Sequence, residues 1–332
     1  MNNRQRKNEH SIRLGITGAT GYVGKKLVEL AISRGYKVVC LSRQSHLDND
    51  LFNNVEIIQG NLSDYKIIQQ FVSEIDVCIH LAAQVSATNK FEYRKVNIEG
   101  TRNICEAIRH TAPTCRLVYC SSVAVLRVNP WLPFLSTEYA RSKRQATQLV
   151  KEYQYKYKLH ASIIYPGLVF GPGDTTFFPN IIKNLKKGRL FFIHGGEKNA
   201  PLIYIDDLCE MLLRSAINPA SDGKEFLGVS PGDIGIHDFI RCIAQKIEIE
   251  PPKLKLPKLP LLIMALFLEI IWRIIGRTDQ PPLSRRVVDV LSINFKNISK
   301  WDNDALDWQP AILIVNGIEP AINWWKHNQL RD

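Results

Sequence analysis

Residues 14–35 read LGITGATGYVGKKLVELAISRG, and this stretch decides the fold of the 332-residue chain. A short β-rich run ends at Thr17, glycines follow at Gly18, Gly21 and Gly24, and apolar residues then recur at helical period from Val23 to Arg34. The first glycine lets the chain turn tightly off the strand, the second lets the backbone approach a pyrophosphate, and the third lets the helix pack on the strand. The free N–H groups at the helix start would then meet the anion. A glycine triplet also serves as an ordinary turn. It is the position between the first strand and first helix of a βαβ unit that predicts a dinucleotide site.

Outward from this loop the alternation continues to about Ser122. Strands are predicted at Arg13–Thr17, Lys37–Ser42, Val55–Gln59, Val77–Leu81 and Arg116–Ser121, with helices such as Val23–Arg34 and Val96–His110 between them. This pattern specifies a parallel sheet, so the expected class is α/β, a Rossmann-type doubly wound parallel sheet. A further helix is expected over Glu138–Tyr157 and a strand over Ala161–Tyr165, after which Gly/Pro-rich loops separate isolated helices. The chain is therefore expected to comprise a disordered lead-in over 1–11, a dinucleotide-binding domain over 12–175 with later segments woven in, and a smaller C-terminal substrate-binding part over 176–332. No internal repeat or low-complexity tract is visible.

A hydrophobic content of 45% supports a buried core and excludes a disordered or fibrous chain. The formal net charge of +11 is spread over short clusters, Lys25-Lys26, Lys186-Lys187 and Arg285-Arg286, with no stripe of interleaved basic and aromatic residues. It reads as a solvated surface, and no nucleic acid partner is expected. The seven cysteines are odd in number and scattered, without a CxxC pair or a His set at zinc spacing, so buried thiols in a reducing compartment are expected and no metal is. The basic, polar start MNNRQRKNEHS is not followed by a signal-peptide core, which points to a cytoplasmic location.

Two sites carry chemistry. Tyr139-Ala-Arg-Ser-Lys143 puts a phenol and an ammonium one helical turn apart, facing the same cleft. A phenol with an ordinary pKa near ~10 is a poor acid or base at neutral pH, and a lysine charge beside it, aided by a cationic nicotinamide ring, draws it toward the working range. Ser121-Ser122 ends the fifth strand, and Ser122 is placed to donate to a substrate oxygen. The second site is the end of the second strand, where NAD-binding folds place an acidic residue for the ribose hydroxyls. This chain has Ser42 and Arg43 there, which removes the carboxylate that would repel a 2′-phosphate and supplies a guanidinium that could pair with one. The cofactor is thus NADP or NAD, with NADP favoured.

With these motifs in order, the chain resembles an extended short-chain dehydrogenase/reductase, the superfamily that contains nucleotide-sugar epimerases, dehydratases and 3β-hydroxysteroid dehydrogenases. The likeness runs through TGATGYVG (17–24), GNLSD (60–64), HLAA (80–83), NIEGTRNICEA (97–107), VYCSS (118–122), YARSK (139–143), YPGLVFGPGD (165–174), YIDDL (204–208) and W-x-P at Trp308–Pro310. It implies that Tyr139 is the acid/base, that Lys143 holds the nicotinamide ribose and that Ser122 orients the substrate. It further implies cofactor contacts from Thr20, Tyr22 and Val23 in the glycine loop, from Asn61 and Leu62 beside the adenine, from Leu81, Ala82 and Ala83 along the cleft, from Asn97, and from Pro166 and Gly167 near the nicotinamide. Asn61 replaces the usual aspartate, Tyr165 stands where many relatives carry arginine, and the stretch from Ser122 to Tyr139 is short, so a reduced substrate cap is expected on that side.

Sugar-nucleotide members carry an arginine shortly before the V-x-D motif to grip the diphosphate, and GGEKNAPLIYIDDL has Ala200, Pro201 and Leu202 there, with Lys198 as a point-charge substitute at best. The segment LPLLIMALFLEIIWRIIGR (259–277) is apolar but carries Glu269 and Arg273, and its eighteen residues to Gly276 would span about 27 Å at ~1.5 Å each, short for a bilayer crossing. It is read as a buried or pocket-lining helix, or as an interfacial membrane helix flanked by basic residues. The expected partner is a hydrophobic small molecule, sterol-like or isoprenoid-like, with peripheral membrane contact through 259–276 and a homodimer kept open. Three functions follow: hydride transfer between NAD(P) and a secondary alcohol or ketone, a nucleotide-sugar epimerase or dehydratase as the alternative, and a cofactor-sensing protein without chemistry. The intact Ser122, Tyr139 and Lys143 argue against the last.

Overall fold

A computed structural model of the chain describes residues 12–45, 53, 55–85, 90–128, 131, 136–230, 232, 234–277, 281–295 and 301–329. The lead-in over 1–11 lies outside the described residues, as does part of the stretch between Ser122 and Tyr139 on which the reduced cap was expected. The first half supplies β1 (Arg13–Thr17), β2 (Lys37–Ser42), β3 (Glu56–Gln59), β4 (Val77–His80), β5 (Arg116–Cys120) and β6 (Ala161–Pro166). Short strands β7 (Leu168–Phe170), β8 (Phe192–Ile193) and β9 (Leu202–Tyr204) follow, then β10 (Glu225–Gly228) and β11 (Lys255–Leu256). Seven of them form one parallel sheet in the order β10-β6-β5-β4-β1-β2-β3. The chain winds from β1 toward β3 and then returns to the other side of β1 with β4. Between β1 and β4 the following loops diverge, which opens a crevice at the carboxyl ends of the strands.

The central strands are largely apolar because both faces of the sheet are covered. Leu14, Ile16, Val38 and Cys40 point to one face, beneath Leu27 and Val28 of α1 (Tyr22–Ser33). Val39, Leu41, Leu117 and Tyr119 point to the other, beneath Phe71 of α2 (Tyr65–Ser73). Each fully buried aliphatic or aromatic side chain of this kind contributes roughly 1.5–3 kcal/mol relative to exposure. The seven cysteines are all free, and five are buried.

The helix predicted from Val96 begins earlier. A single turn, α3 (Lys90–Tyr93), runs into a π-helical turn over Arg94–Glu99 and then into α4 (Gly100–Thr111). The wider turn brings Asn97 inward, and it is buried. Next come α5 (Glu138–Tyr157), α6 (Phe177–Lys186), α7 (Ile205–Ile217) and α8 (Ile236–Lys246). The chain closes with α9 (Lys258–Ile274), α10 (Arg285–Leu291) and α11 (Ile314–Gln329). The C-terminal segment is tied back to α7 by the buried Asp207, whose carboxylate accepts from the Ala311 amide at 2.8 Å and the Ile312 amide at 3.2 Å.

The apolar segment over 259–276 is α9. Among the described residues no helix is long and apolar enough to cross a membrane. Nor is α9 a buried helix. Leu261 and Ala265 enter the core, whereas Leu259 and Phe267 on the other side are 67% and 61% exposed.

Candidate active site

The crevice is a cleft of about 1780 Å³, floored by the carboxyl ends of β1, β4 and β5. At one end the glycine loop is set by contact. Gly18 has φ +75°, and a Cβ on it would sit 2.7 Å from the Ala82 nitrogen. A Cβ on Gly24 would lie 2.1 Å from the Gly18 carbonyl oxygen, so this glycine holds helix against loop. At Gly21 an added Cβ would meet only that same oxygen, at 3.3 Å, and the space left there belongs to the cleft. A loop that turns at Gly18 and leaves room at Gly21 before a helix start has the shape to take a dinucleotide pyrophosphate. Thr20, Tyr22 and Val23 line the same end.

Beside it lie Ser42 and Arg43 from the end of β2, with Asn61 and Leu62 from the end of β3. The Ser42 carbonyl accepts from the Gly60 amide at 2.7 Å, and Asn61 closes a turn by accepting from the Ser63 amide at 2.7 Å. Arg43 is exposed at the rim.

Leu81, Ala82 and Ala83 form the opposing wall, and a buried chain of hydrogen bonds braces it. Thr17 Oγ1 accepts from the Ala82 amide at 3.2 Å and lies 2.7 Å from His80 Nδ1. His80 Nε2 is 3.1 Å from Thr101 Oγ1, which donates to the Asn97 carbonyl at 2.7 Å. With Thr101 donating onward, its oxygen is left to accept from His80 Nε2–H, so His80 Nδ1 accepts from Thr17 and the ring is neutral. Burial, helped by the Lys143 charge, lowers His80 to about 3.

Asn97, expected at the cofactor, lies behind this wall and does not line the cleft. Its amide accepts from the Gln84 amide at 2.7 Å and donates to the Gln84 carbonyl at 3.1 Å and to Ser142 Oγ at 2.9 Å. Ser142 in turn donates to the Tyr139 carbonyl at 2.9 Å, so Asn97 couples the cleft wall to the first turn of α5.

In the middle of the cleft stand Ser122, Tyr139 and Lys143. Adjacent serines part ways at the end of β5: Ser121 bonds with Thr147 at 2.7 Å inside the protein, while Ser122 caps the turn after the strand, accepting from the Ala124 amide at 3.2 Å. Helix α5 starts at Thr137, whose hydroxyl accepts from the Ala140 amide at 3.2 Å, and this cap sets Tyr139 in the first turn with Lys143 below it. Lys143 is 3% exposed; its ammonium donates to the Cys120 carbonyl at 2.6 Å and lies 4.4 Å from the centre of the Tyr119 ring. Burial pushes the Tyr139 phenol above its ordinary value, against the pull of Lys143, a hydrogen bond with Ser122 and the charge of Arg286. Burial lowers Lys143, against the pull of Tyr139. The protein by itself therefore keeps the phenol protonated, the state that can donate to a carbonyl oxygen.

Pro166 and Gly167 close the floor; Gly167 is wedged so that a Cβ would lie 2.0 Å from the Pro201 carbonyl oxygen. Tyr165 points away, its hydroxyl donating to Glu225 at 2.7 Å and its ring lying against Trp301.

The far end of the cleft was not read from the sequence. It is lined by Phe177, Asn180 and Ile181 of α6, by Arg127, and by Arg286, Asp289 and Val290 of α10. Arg127 donates to the Asp289 carbonyl at 2.9 Å. Arg285-Arg286 is not the solvated surface cluster that its sequence predicts: Arg285 is buried and paired with Glu269 at 2.6 Å, while Arg286 faces the cleft. Lys198 is exposed and lies outside the lining, so it replaces no clamp.

Against known proteins, the family model described as NAD dependent epimerase/dehydratase family matches residues 14–227. An N-acetyl-alpha-D-glucosaminyl-diphospho-ditrans,octacis-undecaprenol 4-epimerase of Escherichia coli O157:H7 is 27% identical over 258 residues, 73% of this chain and 74% of that protein. A 2-alkyl-3-oxoalkanoate reductase of Shewanella oneidensis is 23% identical over 302 residues, 83% of this chain and 77% of that protein. Among solved structures, that of gox2253 superimposes with a TM-score of 0.73 at 23% identity, covering 96% of this chain and 98% of the other, which shows the shared fold.

Proposed function

The chain belongs to the NAD dependent epimerase/dehydratase family and is an enzyme of the extended short-chain dehydrogenase/reductase type, and from that premise we propose that it moves a hydride between NAD(P) and a secondary alcohol or ketone of a hydrophobic substrate. One observation carries the reading: Ser122, Tyr139 and Lys143 converge midway along a cleft with a glycine loop at one end and apolar side chains such as Phe177, Ile181 and Val290 at the other. The bound cofactor supplies or accepts the hydride at its nicotinamide ring. Ser122 and Tyr139 hold the substrate oxygen; in the reducing direction the phenol gives its proton to that oxygen as the carbonyl carbon gains the hydride, and a ketone becomes an alcohol. In the oxidising direction the phenolate takes the proton back. Lys143 stabilises the phenolate and holds the ribose.

On this reading Gly18, Gly21 and Gly24 hold the pyrophosphate with Thr20, Tyr22 and Val23. Asn61 and Leu62 flank the adenine, Leu81 to Ala83, Pro166 and Gly167 enclose the nicotinamide half, and Asn97 acts through Gln84 and Ser142. Arg43 takes a 2′-phosphate, which makes NADP the cofactor. The smaller part over 176–332 supplies the substrate end of the cleft through α6 and α10, while its β10 belongs to the central sheet; the enzyme works at a membrane surface, with a homodimer compatible with the same reading. The two relatives named above act on molecules with alkyl or polyprenyl chains, and one is a ketone reductase. The epimerase alternative is favoured by Arg127 and Arg286 at the substrate end, which suit a diphosphate.

A cofactor-coupled screen tests this. NADP or NADPH is incubated with sterols, other hydrophobic alcohols and ketones, and sugar nucleotides, and reduced nicotinamide is followed by its near-ultraviolet absorbance. Lasting oxidation or reduction with a hydrophobic substrate is expected. Conversion of a sugar substrate with no net change in the cofactor would establish the epimerase instead.

A further inference from the structure

We propose that the outward face of α9 is a docking surface for an anionic lipid bilayer, seating the mouth of the cleft at the membrane so that the substrate enters from the lipid. The face is a continuous ridge: Leu259, Ile263, Phe267, Ile271 and Ile274 follow one another at spacings of three or four residues, and each is 47–77% exposed. So large an unbroken apolar strip is uncommon on a soluble monomer's surface. At 17 residues the helix is about 26 Å long at ~1.5 Å per residue, suited to lying in the interface and too short to span it.

Charge selects the occupant. The segment 253–277 carries five basic residues and one acidic residue, Glu269. Glu269 is turned inward, accepting from the Arg285 backbone amide at 2.8 Å and pairing with its guanidinium at 2.6 Å. The outer side is thus apolar; Lys253 and Lys255 beside it are paired with Glu250 at 2.7 Å and Glu197 at 2.6 Å, and the attraction to anionic lipid comes from the chain's formal net charge of +11. A two-fold interface with a second copy would bring together two chains that each carry a formal charge of +11, which disfavours that occupant.

The same helix borders the cleft. Lys258 at its start is 3.8 Å from Asp289, and Glu269 further along holds Arg285; both partners belong to α10, whose Arg286, Asp289 and Val290 line the substrate end. One side of α10 faces the cleft and another carries α9, so docking α9 places that opening beside the lipid. Entry of substrate from the bilayer rests on the hydrophobic-substrate reading; the docking itself does not.

The test is sedimentation of the full chain with phosphatidylcholine vesicles with and without phosphatidylglycerol, at low and high salt. The wild type is expected to bind the anionic vesicles, less at high salt. The double variant Phe267→Glu/Ile271→Glu, which alters exposed residues only, is expected to bind roughly tenfold more weakly or worse. NADPH affinity by fluorescence titration should be unchanged in the variant, which separates loss of docking from loss of fold; the milder Ile263→Ser/Phe267→Ser pair serves if the first is unstable. Wild type remaining in the supernatant at low salt would overturn the proposal. So would retained binding by both variants, or a wild-type dimer that the variants render monomeric. None of these outcomes bears on hydride transfer, which the cofactor screen tests separately.

Discussion

Arg285 and Arg286 show how far chain position can mislead at the level of single residues. They are neighbours, yet one is buried against Glu269 and the other reaches toward Tyr139, where its charge opposes the upward push of burial on the phenol. The sequence carries no sign of this division, because it depends on which side of α10 meets α9. Ser121 and Ser122 divide in the same way, but there strand alternation makes the outcome readable: one serine must point into the packing of α5 and the other out of it. Arg43 rests on local reasoning alone, since it follows β2 at the cleft rim with no carboxylate beside it in sequence. If it pairs with a 2′-phosphate, Arg43→Ala should weaken NADPH binding by roughly 1.5–3 kcal/mol, the size of a hydrogen bond to a charged group, and leave NADH nearly untouched. Fluorescence titration with both cofactors decides it, and equal losses would remove the NADP assignment.

Among the elements, β1, β4, α5 and the glycine loop were legible because each is a short, strongly patterned unit. The π-helical turn over Arg94–Glu99 was not, because its extra residue breaks the helical period and its purpose, turning Asn97 toward Gln84, is tertiary. Nor was the role of His80, which joins β1, β4 and the start of α4 through Thr17 and Thr101 and can do so only as a neutral ring. A titration follows. His80 is held near 3 in the folded protein, against ~6.5 for an ordinary imidazole, so between those values the unfolded chain binds a proton that the folded one does not. Stability should then rise with pH through that window and fall on acidification from ~6.5 downward. His237, also lowered by burial, acts in the same direction. Melting curves should show His80→Gln starting less stable but losing less per pH unit than the wild type; parallel losses would show that His80 titrates alike in both states.

For the molecule as a whole, the class of sheet and the cofactor half of the cleft could be read from the chain because they lie in consecutive βαβ units. The substrate half could not. It is assembled from Arg127, α6 and α10, segments far apart in the chain that only the folded protein brings together. The two halves meet at Tyr139, and the central claim is that this meeting point is where a proton and a hydride change hands. The most direct test replaces only the phenol oxygen. Tyr139→Phe should bind NADPH as the wild type does, since the ring still packs, while turnover of the substrate identified by the cofactor screen falls by on the order of 10²–10⁴-fold, the typical worth of general acid–base catalysis. A variant that binds NADPH normally and keeps more than about a tenth of the wild-type rate would contradict the account.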